Sequence, residues 1–353
     1  MLIARLIIGW IVLGISVEKA KGEMLRKELH RQSRVDTGKS ILDTNGRVMI
    51  PLRAAPGSDV LSRYGAELID VDFPDIESRA DPIDEIRARA QIPEDLKELL
   101  TSKWELFGDV LVLRLDHRLD DYETEVARAY SSVLNTKAVL RDVGGIKGDF
   151  REPVVRKILG EDSICTHLEN GIRYRFDASE IMFSSGNIEE RMRMAETPCD
   201  GETIVDMFAG IGYFSIPLAF YQKPKRVIAC EMNPIAHSFL LENIEINGVK
   251  KTVEPFLGDN RDLPGNAIAD RIVMGYVKTT HEFLPTALRL LKDGGIIHYH
   301  ETCPNELLPT RPVQRLTDAN KNGKTEIVRF KEIKSYAPGV SHVVVDARMT
   351  RPA

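Results

Sequence analysis

The sequence predicts an α/β protein in which a mostly parallel sheet, covered by helices on both faces, follows smaller α+β units. Three observations carry this expectation. After Pro198, short apolar runs alternate with amphipathic helical segments, the pattern of a sheet buried on both sides. The first run ends in the glycine-rich turn D-M-F-A-G-I-G, Asp206 to Gly212. The next two runs end in Glu231 and in Asp259-Asn260, which gathers polar groups at the carboxyl edge, where open α/β sheets take their ligands.

With 353 residues, 43% of them hydrophobic, the chain has length for two or three domains and enough apolar side chain to fill their cores. Residues 2–17, LIARLIIGWIVLGISV, form an apolar run that Arg5 interrupts and that falls short of the roughly 18 residues of a membrane span. No small-x-small cleavage site precedes Glu18. Residues 1–23 are therefore expected to lie outside the fold, as a leader ahead of a start at Met24.

Residues 24–90 read as a small N-terminal domain. A polar helical stretch is followed by the strand-like GRVMIPLR, the turn former APGSD and a second strand candidate, AELIDVDFP. Residues 91–178 read as a middle α+β domain. There PEDLKELLTSKW looks helical, GDVLVLRL is a β run, and the amphipathic YETEVARAYSSVL leads into the strand TKAVLRDV. ICTHLENGIRYRFD closes this domain as a hairpin with Asn170-Gly171 as its two-residue turn.

Residues 179–353 hold the regular alternation. The expected strands are ETIVDMF, RVIACEM, VEPFLGD, ADRIVMGYV and GIIHYHE, with helices FSIPLAFY, PIAHSFLLENIEIN and EFLPTALRLLK between them. SHVVVDARM is expected as a last strand, antiparallel at one edge. Asn233-Pro234 opens its helix as a cap and first-turn proline.

A net charge of -5, from 48 basic and 53 acidic residues, excludes a globally cationic nucleic-acid coat but not a local basic face. Arg311 to Lys334 leans positive, with seven Lys or Arg against three acids, and suits either a solvated face or an RNA contact. Four scattered cysteines without a C-x-x-C pair point away from zinc and redox sites and toward a reduced, cytoplasmic interior. His298 and His300 alternate along one strand and so share a face, but no third ligand can be set beside them. Packing or a substrate contact suits them better than a metal, and no metal is expected.

The glycine turn is ambiguous alone. The dinucleotide fingerprint wants a third glycine where Ser215 stands, and an acid four residues before Gly210, Asp206, suits S-adenosylmethionine better. Glu231, 19 residues after Gly212, is placed to accept hydrogen bonds from ribose hydroxyls, and Asp259-Asn260 to receive an adenine amine. A class I S-adenosylmethionine-dependent, Rossmann-like domain is the expected fold of the C-terminal region.

IMFSSGNIEERMRMA (Ile181 to Ala195), VDMFAGIGYFSIPLA (Val205 to Ala219), DNRDLPG, DRIVMGYVKTTHEFLP, IIHYHET and YAPGVSHVVVD together resemble the archaeal aminocarboxypropyltransferases of wybutosine synthesis. These are relatives of the tRNA guanine-N1 methyltransferases, and the likeness runs from about Ile92 to Arg348. It implies that Ser184, Arg191, Glu231, Asp259 and Asn260 contact S-adenosylmethionine. It also implies that the acceptor is a ring carbon of 4-demethylwyosine in tRNA-Phe. From residue type alone, Arg191 reads as a solvated helix charge and Ser184 as a helix cap.

Where many base-nitrogen methyltransferases carry a polar Asn-Pro or Asp-Pro clamp, the fourth strand ends in Met-Gly-Tyr-Val. Gly275 removes bulk there, and Tyr276 offers a stacking face for a splayed base. A carbon nucleophile needs alignment more than an amide clamp. His281 is a candidate proton acceptor by type alone, with a first-turn helix residue as the plainer alternative. The rival functions are guanine-37 N1-methylation and cofactor binding without catalysis. A monomer with tRNA as partner and no membrane association completes the expectation.

Overall fold

The computed structural model describes residues 12–44, 46–76, 81–148 and 150–351, in two compact units that divide after Asp81. The first unit contains β1 (Val12–Glu18), α1 (Lys19–Arg31), β2 (Leu42–Thr44), β3 (Arg47–Pro51), α2 (Ser58–Tyr64) and β4 (Glu67–Val71). Its sheet runs β2-β3-β1-β4, with β1 antiparallel to both neighbours.

This corrects the expectation that residues 1–23 stand outside the fold. From Val12 the apolar run is a central strand, Ile15 and Val17 are fully buried, and Met24 lies inside α1. Gly14 to Val17 are all buried, so both faces of the strand are covered there; such a strand reads as an unbroken run and imitates a leader. A Cβ on Gly14 would fall 2.5 Å from the ring of Phe73, so the strand is built for close packing. Residues 1–11, the rest of the expected leader, lie outside the described residues.

The second unit begins with α3 (Pro82–Arg89) and a sheet of β5 (Trp104–Phe107), β6 (Val110–Leu113), β7 (Ala138–Lys147) and β8 (Glu152–Leu159). The amphipathic helix α4 (Glu123–Leu134) crosses over between the parallel pair β6 and β7 and buries Val126, Ala127 and Tyr130. PEDLKELLTSKW makes only a 3-10 turn, Glu94–Leu99, before β5. Thr101 Oγ1 accepts from Lys103 N at 3.0 Å and turns the chain away from a longer helix.

The expected hairpin is present as β9 (Ile164–Glu169) and β10 (Ile172–Asp177), with Asn170 and Gly171 both at positive φ, as a type I′ turn requires. After α5 (Ile188–Ala195) come β11 (Thr203–Asp206), α6 (Ser215–Tyr221), β12 (Arg226–Glu231), α7 (Pro234–Ile246), β13 (Val253–Leu257), β14 (Ala269–Val277) and α8 (Leu284–Leu290). The unit ends with β15 (Leu291–Pro304), α9 (Thr310–Ala319), β16 (Lys324–Ala337) and β17 (Val340–Thr350).

These strands form a seven-stranded sheet in the order β13-β12-β11-β14-β15-β17-β16, parallel from β13 to β15. β17 is antiparallel, as expected, but it is not the edge. β16, drawn from the positively charged stretch, takes the edge instead. One core is continuous from Phe107 and Val110 through Cys165, Tyr174 and Phe183 to Ile204 and Val273. The middle strands and the seven-stranded sheet therefore pack around shared side chains.

At the end of β14 the ladder slips. Met274 faces Tyr299 and Val277 faces Glu301, so β14 spends three steps where β15 spends two. The extra residue makes a β-bulge, and Val277 sits at φ +70, a conformation that costs a β-branched residue strain.

Candidate active site

A cavity of about 500 Å3 opens at the carboxyl ends of β11, β12, β13 and β14. Its first wall is made of strand-end loops. Glu231 closes β12, and its carboxylate accepts from Gly210 N at 2.8 Å and Asn233 N at 2.7 Å. Burial raises its pKa above the ordinary glutamate value, opposed by those backbone donors. Gly210 sits at φ +57, and a Cβ there would fall 2.5 Å from the ring of Tyr213, so the turn needs glycine. Asn233 caps α7 through Ile235 N at 2.9 Å, with Pro234 behind it, as expected.

Asn260 lines the same wall. Its Nδ2 donates to Met207 O at 2.9 Å, while its buried Oδ1 has no partner. A buried acceptor left open beside a cavity is a ready receptor for a ligand N–H. Asp259, expected as such an acceptor, is instead engaged by Arg261: backbone N and Nε each donate to it at 2.9 Å, and Nη2 donates as well. The Arg261 side chain holds the Asp259 pKa below the usual carboxylate range.

Asp206 does not line the cavity. It is fully buried behind the glycine turn, accepting from Ser215 Oγ at 2.7 Å and Phe208 N at 3.3 Å. Burial pushes its pKa up to about 6 against those hydrogen bonds. It braces the turn from behind, and Ser215 gives it a hydroxyl donor that a third glycine would not.

The second wall comes from α5, the turn before it, and the hairpin β16–β17. Arg191 is no solvated charge. It is buried, paired bidentately with Glu169 on β9 at 2.6 Å through both Nε and Nη2, and its Nη1 donates to Ser184 O at 3.0 Å. Its guanidinium lies 4.7 Å from the Phe183 ring centroid. Ser184 stands at the N-cap of the 3-10 turn Ser185–Asn187 but gives it no side-chain hydrogen bond; its hydroxyl accepts from Lys334 Nζ at 2.7 Å. Lys334, Tyr336 and His342, all lining residues, had no mark in the sequence as site residues. The positive lean of the stretch ending at Lys334 and the family-like segment YAPGVSHVVVD, which contains Tyr336 and His342, passed over them without singling them out.

The floor is the bulge. The Tyr276 ring stacks on Phe208, 5.2 Å between centroids and 19° between planes, and Arg151 Nη1 donates to the Tyr276 carbonyl at 3.3 Å. Gly275 lies beside them, where a Cβ would come within 3.0 Å of Phe214. His281 does not line the cavity. It belongs to the 3-10 turn Thr280–Phe283, and burial, then Arg315, lowers its pKa.

His298 and His300 have separate neighbours. Arg271 Nη1 can only donate to His298 Nε2, at 2.8 Å, so His298 Nδ1 carries the proton and donates to Asp346 Oδ1 at 2.6 Å. His300 Nδ1 lies 3.1 Å from His342 Nε2, and burial above all pushes both pKa values down to about 3. Among the described residues no group of three His, Cys, Asp or Glu is arranged to hold a metal, and all four cysteines are free and buried.

S-adenosylmethionine fits this arrangement. The open Asn260 acceptor, the Glu231 carboxylate and the glycine cradle suit its nucleoside.

Residues 165–328 match the model of the TRM5/TYW2 methyltransferase domain, and residues 85–163 that of the TYW2 N-terminal domain. A Pyrococcus horikoshii protein named tRNA(Phe) (4-demethylwyosine(37)-C(7)) aminocarboxypropyltransferase is 47% identical over 261 residues, covering 73% of this chain and 93% of its own. The tRNA (guanine(37)-N(1))-methyltransferase Trm5b of Pyrococcus abyssi is 33% identical, over 96% of this chain and 99% of its own. The crystal structure of P. horikoshii TYW2 in complex with MeSAdo superposes with a TM-score of 0.70 at 45% identity, covering 77% of this chain and all of that one. With the glycine turn, Glu231 and Asn260 gathered on one class I sheet, and with these likenesses over both parts of the second unit, the chain belongs to the TRM5/TYW2 family.

Proposed function

We propose that the chain transfers the 3-amino-3-carboxypropyl group from S-adenosylmethionine to C7 of 4-demethylwyosine at position 37 of tRNA-Phe, releasing 5′-methylthioadenosine. The observation that carries this reading is the end of β14, where Gly275 and Tyr276 on a bulge replace a base-nitrogen clamp. The relatives at 47% and 45% identity that bear the aminocarboxypropyltransferase name support it.

S-adenosylmethionine supplies a sulfonium with three carbons open to displacement, and orientation decides which one moves. The residues of this chain supply that orientation. Glu231 takes ribose hydroxyls and Asn260 Oδ1 an amine of the base. The Tyr276 ring, backed by Phe208, presents a flat apolar face of the kind on which an unstacked base lies. Arg151 fixes that platform from behind by holding the Tyr276 carbonyl.

The reading extends to a monomer that acts in the cytoplasm on the anticodon region. Position 37 in the names of both relatives supports the last point. Among the described residues no helix is long and apolar enough to cross a membrane.

Incubation with labelled S-adenosylmethionine and tRNA-Phe carrying 4-demethylwyosine tests the proposal. Methylthioadenosine with labelled tRNA is the expected outcome. S-adenosylhomocysteine would turn the reading to methyl transfer, and binding without either product to a non-catalytic module.

A further inference from the structure

Lys334 on the second wall and Arg151 at the floor are two cations lining the cavity for which no ion pair exists among the described residues. Lys334, half-buried on β16, has one partner, the Ser184 hydroxyl at 2.7 Å. Arg151 gives one hydrogen bond to the Tyr276 carbonyl, and its Nε is buried without a partner. The contrast within β16 is direct: Lys331, three residues earlier, pairs with Glu189 at 3.5 Å. Lys334 instead reaches inward over Gly186, where a Cβ would fall 3.0 Å from Nζ and 3.1 Å from Cδ. Gly186 has no left-handed backbone to explain it, so the space it leaves serves the lysine.

Half-buried cations without a counter-charge are costly unless an anion completes them. Burial, and then the charges of Arg151 and Arg191, hold the Lys334 pKa below the ordinary lysine range. The opposite wall carries Glu231 and Asp259, so the cavity is negative where a nucleoside would offer hydroxyl and amine donors and positive at its other end.

We infer that Lys334, oriented by Ser184 and assisted by Arg151, binds the α-carboxylate of the aminocarboxypropyl group of the donor. This rests on the reading above and deepens it. A group that must move as a whole needs a hold on its far end if its γ-carbon is to face the acceptor. The ammonium of Lys334 provides that hold as a charge-assisted hydrogen bond.

Calorimetric titration of the full chain with three ligands tests this: S-adenosylmethionine, its decarboxylated form, and 5′-methylthioadenosine. Lys334→Met is expected to weaken S-adenosylmethionine about 10-fold or more, the loss of one hydrogen bond between charged groups. The two ligands without a carboxylate should change less than about 2-fold, and Lys334→Arg should restore part of the loss. Equal weakening of all three ligands would overturn the inference by making Lys334 a structural support. Unchanged S-adenosylmethionine binding with weakened tRNA binding would overturn it in favour of an RNA phosphate. Wild-type protein that binds none of the three ligands overturns the parent reading together with this one, an outcome distinct from both.

Discussion

The two walls of the cavity face the same space but are built differently. On one, strand ends and their loops present Glu231, Asn260 and the glycine turn, all within 51 residues of chain from Gly210 to Asn260. On the other, Ser184 and Arg191 meet Lys334, which is 150 residues away from Ser184. The first wall relies on backbone donors and one open acceptor. The second is held by ion pairs and carries Lys334, which has none among the described residues. A nucleoside common to many donors suits the local wall, while the choice of transferred group falls to the assembled one.

The comparison breaks most visibly at Arg191. Its guanidinium is committed to Glu169, so Arg191→Met should destabilise the protein by about 3–5 kcal/mol in urea unfolding, because Glu169 would be left buried and unpaired. Arg191→Met with Glu169→Leu should recover most of that loss. If the single substitution leaves stability intact and removes only ligand binding, Arg191 belongs among the binding groups after all.

Behind the first wall, Asp206 gives a pH signature. Its folded pKa of about 6 lies above the ordinary aspartate value of 3.8, so between those values the folded state keeps a proton that the unfolded state has released. Stability therefore falls as pH rises from about 4 to about 6. Asp206→Asn imitates the protonated carboxyl and should gain up to about 3 kcal/mol at pH 7 while losing that slope. A slope that persists in the variant would place its source elsewhere.

At the first wall itself, Glu231→Gln puts an amide N–H against the backbone donors of Gly210 and Asn233. S-adenosylmethionine and methylthioadenosine should both weaken by roughly 30-fold in titration calorimetry, about 2 kcal/mol. Equal losses sharpen the contrast with Lys334→Met, where they should differ. The smallest effect is expected at Arg261→Ala. Freeing the Asp259 carboxylate should tighten methylthioadenosine by no more than about 3-fold and change stability by less than about 1 kcal/mol, since Arg261 is exposed. Weakened binding would mean that the pair itself, not the free carboxylate, meets the nucleoside.

The same division explains what was legible in the sequence. β11 to β15 announce themselves as apolar runs because both faces are covered, and Glu231 and Asn260 follow from their places at strand ends. β16 is mostly exposed and charged, so it reads as a solvated face or an RNA contact rather than as a strand, and β17 is expected at the edge in its place. The pairing of Arg191 with Glu169 joins a helix to a hairpin, which no local pattern reveals. Asp259 and Asp206 were found as acids at the right strand ends. That one is occupied by Arg261 and the other lies behind the turn depends on side-chain direction, which residue type does not carry. β1 imitates an apolar leader because both of its faces are covered from Gly14 to Val17, so no alternation of exposed residues breaks the run.

The slipped ladder at the end of β14 sets a rule for insertions and deletions. Side chains along a strand alternate faces, so the single extra residue between Met274 and Val277 decides which side of the sheet every residue beyond it presents. Removing one residue at Gly275 would let β14 and β15 pair without interruption from Arg271 onward and relieve Val277 of its positive φ. The aromatic platform would then be turned away from the cavity. A chain shortened in this way should fold at least as well as the natural one and yet have no surface on which to lay a base.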